Sequence, residues 1–217
     1  MTSHQLLRTA ASITINVAVL IGAFAAVNTP TDALTAASTH TDEHADSPVR
    51  HEIDADAPVE IQDAVHWALS LFEEADMELP SIRFNYHGED RTGCNGAQGL
   101  HRHAPEGSNV ELCMTAPGFP TAVTILHEFA HAWVDHNAGD DARSAFQELR
   151  GYDHWSNYDE VIWHENGIEQ AAEIIVWGLV DRPLAMLRIT QNSCAELEAG
   201  FVTLTGQLPL HGFQDHC

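Results

Sequence analysis

His127 and His131 stand four residues apart in a run whose apolar positions are Val123, Leu126, Ala130 and Val134. Steps of three and four between apolar residues are the signature of an α-helix with one buried stripe. The turn Pro117-Gly118-Phe119-Pro120 supplies a start, so the spacing predicts a helix from about Thr121 to Asn137. On that helix both imidazoles leave from one face on successive turns. Any fold for this chain must therefore pack a helix that carries two aligned imidazoles and the carboxylate of Glu128 between them.

The rest of the pattern surrounds that helix with a small sheet and further helices. Val59, Ile61, Val65, Ala68, Leu69 and Phe72 fall at helical spacing over residues 59–76, and Pro80 closes the segment. Ile82, Phe84 and Tyr86 alternate with Arg83, Asn85 and His87, which predicts a strand that Gly88 ends. A glycine-rich connection carrying Cys94 follows, and Val110, Leu112 and Met114 alternate in a second strand. Residues 150–162 are aromatic and polar without a clear period. A helix is predicted from roughly Glu165 to Val180, before Pro183, and a last one from Cys194 to about Leu204. Strands and helices in this segregated order give an α+β class, and 217 residues are the length of one domain with appendages.

Composition narrows the partners. Nine cations, all arginine, face 32 acidic residues, for a formal charge of −23. Without a cluster of cations to neutralise phosphates, nucleic-acid binding is excluded, and docking on an anionic membrane surface is disfavoured. A hydrophobic share of 44% is that of a foldable chain. Residues 1–25 read as a signal peptide or N-terminal anchor: Arg8 precedes an apolar run from Ala10 to Val27, and Ala23-Phe24-Ala25 has the small-x-small pattern of a cleavage site. If uncleaved, residues 10–27 are about long enough for a membrane tether. Residues 26–56 are poor in large apolar side chains and read as a disordered acidic linker, leaving 57–217 as the folded domain. His40, His44 and His51 have separations that fit no closed metal site. The expected location is secreted or extracytoplasmic and membrane-anchored. Four cysteines in an exported chain point to disulfides. Among the three possible pairings, Cys94–Cys113 and Cys194–Cys217 are favoured because each joins cysteines near in sequence.

The string His127-Glu128-Phe129-Ala130-His131 is HExxH, in which two imidazoles reach one zinc ion and the glutamate holds the attacking water. A hydrolytic zinc site needs a third protein ligand. The metzincin pattern would put glycine and histidine where Val134 and Asn137 stand, and His136 points off the ligand face. Glu169 and Glu173 instead share one face of the later helix, one turn apart. With these residues the chain resembles the gluzincin class of HExxH zinc metallopeptidases. The resemblance implies a zincin-like fold in which His127, His131 and Glu169 ligate Zn2+, Glu128 is the general base, and Glu173 orients an imidazole from behind. It also implies that the strand around Asn109–Met114 is the edge on which an extended peptide aligns. Two departures are the 38-residue separation of His131 and Glu169, longer than in thermolysin-like enzymes, and a glutamate rather than aspartate at 173.

Glu165 and Glu160 are the alternative third ligands, and Asp135 lies one turn beyond His131. Tyr152, His154 and Tyr158, between the two metal-bearing helices, are the candidate donors to an oxyanion. Tyr86, His87, His101 and His103 read as strand or loop residues, and Trp133, Trp155, Trp163 and Trp177 as packing around the core and cleft. The expected function is an exported zinc-dependent peptidase acting on a peptide or protein substrate. The alternatives are a zinc amidohydrolase acting on cell-wall-type amides and a non-catalytic zinc-stabilised binding domain. Glu128 counts against the last, since a structural zinc needs no base beside its ligand.

Overall fold

The computed structural model describes residues 50–157, 163–182, 184, 189 and 193–211, all within the unit Asp46–Cys217. The expected signal peptide or anchor at 1–25, with its tether at 10–27, and the linker up to residue 49 lie outside the described residues. In chain order the elements are β1 (Glu52–Ile53), α1 (Val59–Glu74), β2 (Ile82–Tyr86), β3 (Gly99–Ala104), β4 (Gly107–Leu112), α2 (Phe119–Asn137), α3 (Asp140–Arg150), a 3-10 turn (Trp163–Glu165), α4 (Gly167–Leu179) and α5 (Cys194–Thr205). A four-stranded mixed sheet and five helices make this an α+β chain. Among the described residues no helix is long and apolar enough to cross a membrane.

The sheet order is β1-β2-β4-β3. β1 and β4 flank β2 in parallel, and β3 pairs antiparallel with β4 in the register Gly99↔Leu112 to Ala104↔Gly107. Period-2 alternation turns Ile82, Phe84, Val110 and Leu112 to one face, where they are buried in the same core as Ile61, Val65 and Phe72 of α1 and Ile125, Leu126 and Phe129 of α2. The opposite face carries Arg83, Asn85 and Glu111, with Asn85 Nδ2 donating to Glu111 at 3.2 Å. Gly107, at the β3–β4 turn, has φ of +140° and lies so near Ser81 that a Cβ would fall 2.1 Å from its carbonyl oxygen, so no other residue fits.

Four expectations are corrected. The segment before residue 57 is not linker throughout: Glu52 and Ile53 pair with Arg83 and Phe84. The glycine-rich connection contains a strand, β3, whose Leu100-His101-Arg102-His103-Ala104 lacks an apolar alternation and is held extended by its ladder with β4. That strand displaces the expected edge, because β4, the strand around Asn109–Met114, is interior and β3 is the edge on its side of the sheet. A further helix, α3, follows α2 directly. It buries only Phe146 and Arg150, too narrow a stripe to register as a period.

The Cys94–Cys113 disulfide is formed between two buried cysteines and ties the loop ahead of β3 to the end of β4. A bridge across a loop of this size is worth about 3 kcal/mol. The expected Cys194–Cys217 pair involves Cys217, which lies outside the described residues. α4 is apolar nearly all round and correspondingly buried: Ala171, Ala172, Ile174, Ile175, Val176 and Leu179 have no exposure. It packs between α2 and α5, and at Gly178 the ring of Phe201 lies where a Cβ would stand, 2.3 Å away. Because Phe201 is itself fully buried, Gly178→Ala is expected to lower stability by about 1–3 kcal/mol through overpacking. Urea denaturation followed by circular dichroism measures it, and an unchanged midpoint would refute the close α4–α5 contact.

Candidate metal centre

α2 and α4 cross with their polar residues facing each other inside an otherwise apolar contact. His127 and His131 leave α2 one turn apart, and Glu169 comes from the first turn of α4. His127 Nε2 and His131 Nε2 are 3.0 Å apart, and each is 3.1 Å from Glu169 Oε2. The three residues are 9%, 6% and 5% exposed. As a hydrogen-bond network this triangle is poor, because two ring N–H groups aimed at one oxygen would also face each other. As a set of three lone pairs converging on one point it fits a cation. The separations are close to the ~3.3 Å edge of a tetrahedron with bonds of about 2.0–2.1 Å. His127, His131 and Glu169 could thus hold a metal ion, as their donor atoms all lie within 4.8 Å of one another.

Glu173, one turn along α4, places Oε1 3.3 Å from His127 Nδ1, the ring nitrogen facing away from the cluster. The contact is an ion-pair approach whose angle falls short of a hydrogen bond. Burial opposes the His127 imidazolium, yet the carboxylates of Glu169 and Glu173 against its two ring nitrogens outweigh it, and its pKa stands well above the usual histidine value. Glu169 feels the converse. Burial penalises its charge, but the two imidazoles overcome that and hold its carboxyl below the usual carboxylate range.

Glu128 points to the other side of the imidazole pair. Burial comes first in raising its pKa, against the lowering effect of His127 and His131, and the backbone of His101 bonds its carboxylate. It sits against the start of β3 so closely that a Cβ on Gly99 would lie 2.5 Å from Glu128 Oε1. His101 projects from β3 toward α2, its ring stacked on that of His131 with centroids 6.3 Å apart, and its Nε2 is 3.0 Å from Ser108 Oγ. Burial, then the neighbouring His131, lowers the His101 pKa to about 4. Trp163 lies against His127 with centroids 5.8 Å apart.

An open cleft of about 720 Å³ adjoins the cluster, with His127, Glu128, Glu173 and Trp163 in its wall. Tyr152 and His154, two of the expected oxyanion donors, do not line it. Tyr152 follows the left-handed Gly151 that ends α3 and folds back so that its N–H donates to the Gln147 carbonyl at 3.0 Å. His154 has an exposed side chain, and its carbonyl accepts from Gly167 at the start of α4. Tyr158 and the alternative ligand Glu160 lie outside the described residues, and Glu165 is exposed. Asp135 is engaged elsewhere, with His103 Nδ1 at 2.9 Å from its Oδ2 and Arg143 on its other oxygen at 3.8 Å. His101, read from the sequence as a strand or loop residue, lies in β3, and its place beside His131 is what pattern reading does not show. Its only trace in the sequence is the step of two to His103, which puts both on one face of a strand.

Native mass spectrometry of the full chain in the presence of zinc is expected to show one tightly held ion, lost or loosened in Glu169→Ala and in His131→Ala. Chelation should lower the thermal midpoint of the parent and leave that of Glu169→Ala unmoved. A parent that holds no ion would refute the site.

The chain matches no protein-family model, no curated protein and no solved structure, so its function rests on the geometry of this site.

Proposed function

We propose that the chain is an exported, zinc-dependent peptidase of zincin-like architecture, as its resemblance to gluzincins implies. The observation that carries the reading is the meeting of two imidazole nitrogens and one carboxylate oxygen at 3.0–3.1 Å beside a separate, buried carboxylate at the wall of an open cleft. A zinc ion held by His127, His131 and Glu169 would polarise the scissile carbonyl and acidify a water molecule there. Glu128 is placed to take that water's proton and deliver it to the departing amine as the C–N bond breaks. Its raised pKa brings it nearer to neutral, where a group that both accepts and returns a proton works best. Glu173 holds the far nitrogen of His127 and so fixes which nitrogen faces the cluster.

β3 offers the substrate a place to align. It is one of the two edge strands of the sheet and the one whose start lies against Glu128, and an extended peptide added there gains main-chain hydrogen bonds. The buried Cys94–Cys113 bridge supports export, since such bonds persist in oxidising compartments.

Two substitutions test the reading. Glu128→Gln keeps the shape and the ligands but removes the base, so it should retain one zinc ion while hydrolysis of an unstructured peptide, followed by mass spectrometry, falls by about 10²–10⁴-fold. Undiminished turnover with metal retained would sink the peptidase assignment. Gly99→Ala should displace the Glu128 carboxylate and lower turnover with zinc stoichiometry unchanged; a rate equal to that of the parent would show that the close approach of β3 to Glu128 is dispensable.

A further inference from the structure

The cleft contains one cation whose charge nothing in the site uses. Arg91 lines it, and it is the sole arginine there among the described residues. Its Nη1 donates to the Gly96 carbonyl at 3.4 Å, and among the described residues it meets no carboxylate. Arg83, Arg143 and Arg182 each have an acidic partner within 4 Å, whereas Arg91, like Arg50 and Arg102, has none among the described residues, and of these three Arg91 is the one that lines this cleft. In a chain with 32 acidic residues and nine arginines, an arginine kept clear of acids at the wall of a cleft is available to an anion from outside.

Arg91 is also held in place. Its carbonyl accepts from Gly96 at 2.9 Å and from Cys94 at 3.2 Å, and Cys94 is buried and bridged to Cys113. The turn is therefore preorganised before anything binds.

The direction of the edge strand says which end of a peptide would reach it. A peptide that adds antiparallel to β3, as β4 does on the other side, runs its C-terminal half toward Gly99, Gln98 and the turn that carries Arg91. Glu128 sits against Gly99, so the reacting bond falls at that level, in the same cleft that Arg91 lines. Along the same cleft Met114, Phe119, Val123 and Leu184 give an apolar wall.

Resting on the peptidase reading, we infer that the cleft takes the C-terminal end of a peptide: Arg91 pairs with the free α-carboxylate, and a large apolar side chain packs on the wall formed by Phe119 and Val123. The reaction is then the release of a short C-terminal fragment, with water adding to the acyl carbon, the C–N bond breaking and the proton passing through Glu128 to the new amine. A planar guanidinium suits this ligand because it can grip both carboxylate oxygens at once.

Matched peptides ending in leucine, one with a free carboxylate and one with a carboxamide, test it on the zinc-loaded full chain. Fragment release is read by mass spectrometry, and binding to Glu128→Gln by calorimetry. The free acid is expected to be cleaved and bound at least tenfold better than the amide, and the ratio should collapse toward one in Arg91→Gln. Arg91→Lys, which keeps charge without the fork, should fall between the two. Arg91 is exposed, so these variants should fold, and an unchanged thermal midpoint checks it. Cleavage of acid and amide at equal rates would overturn the inference and leave the peptidase reading standing. Binding that prefers the acid through Arg91, with no cleavage by the parent, would keep the carboxylate site and overturn the peptidase reading. Equal binding of acid and amide would overturn the carboxylate site.

Discussion

The contact of α2 with α4 is the constraint on which the rest of the chain depends, because it buries charge. Glu128, Glu169 and His131 are each less than a tenth exposed, and Glu173 shares the same pocket. Each buried ion costs several kcal/mol, on the order of what a domain of this size has in net stability. The cost is met only if positive charge sits among these carboxylates, as an imidazolium proton or as a metal ion. The same account explains the composition of α4. Its other buried residues are mostly apolar, α5 lies across its C-terminal half at Gly178, and the fully buried Gln170 is bonded to Arg150 and to the His164 carbonyl.

A second constraint arrives from the sheet. The edge strand must approach α2 closely enough for the His101 backbone to bond Glu128 and its ring to stack on His131, and this is possible only with glycine at 99. The loop before β3 is pinned by the disulfide at one end and by the ladder with β4 at the other. The Glu128 carboxylate is thus positioned between two rigid elements rather than on a loop, which suits the role of base proposed for it.

How much of this could be read from the sequence divides along physical lines. The α2 and α4 helices and strand β2 were legible because each buries a full stripe or face, and burial writes itself into periodicity. Glu169 was legible because it lies in the first turn of a helix with a second glutamate one turn on. β3 was not, for Arg102 interrupts the face that holds Leu100 and Ala104 while His101 and His103 stand on the other, and its extended state comes from a partner strand rather than from its own pattern. α3 was missed for a related reason: it covers the core with Phe146 and the stem of Arg150, and three-residue spacing cannot emerge from two anchors. Tyr152 and His154, two of the expected oxyanion donors, do not line the cleft, because sequence proximity to both helices does not give direction. Ending α3 at a left-handed glycine turns Tyr152 back on its own helix, which no count of residues between His131 and Glu169 reveals.

The separation of roles among like residues is the last step. Glu128 and Glu169 are both buried glutamates within reach of the same imidazoles, yet their acidities are driven apart. The two imidazoles beside Glu169 hold it ionised, while Glu128, bonded by the His101 backbone, is governed by its burial. A carboxylate that stays ionised is suited to ligation, and one whose proton affinity is raised is suited to exchange. Divergent environments around paired titratable groups are how a site assigns one to hold and the other to transfer. Had both glutamates faced the imidazoles, the cluster would have had four ligating groups and no base. Gly99 leaves room for Glu128 against β3, beside the three atoms that converge in the cluster, so the edge strand bears on the proposed chemistry as well as on the cleft.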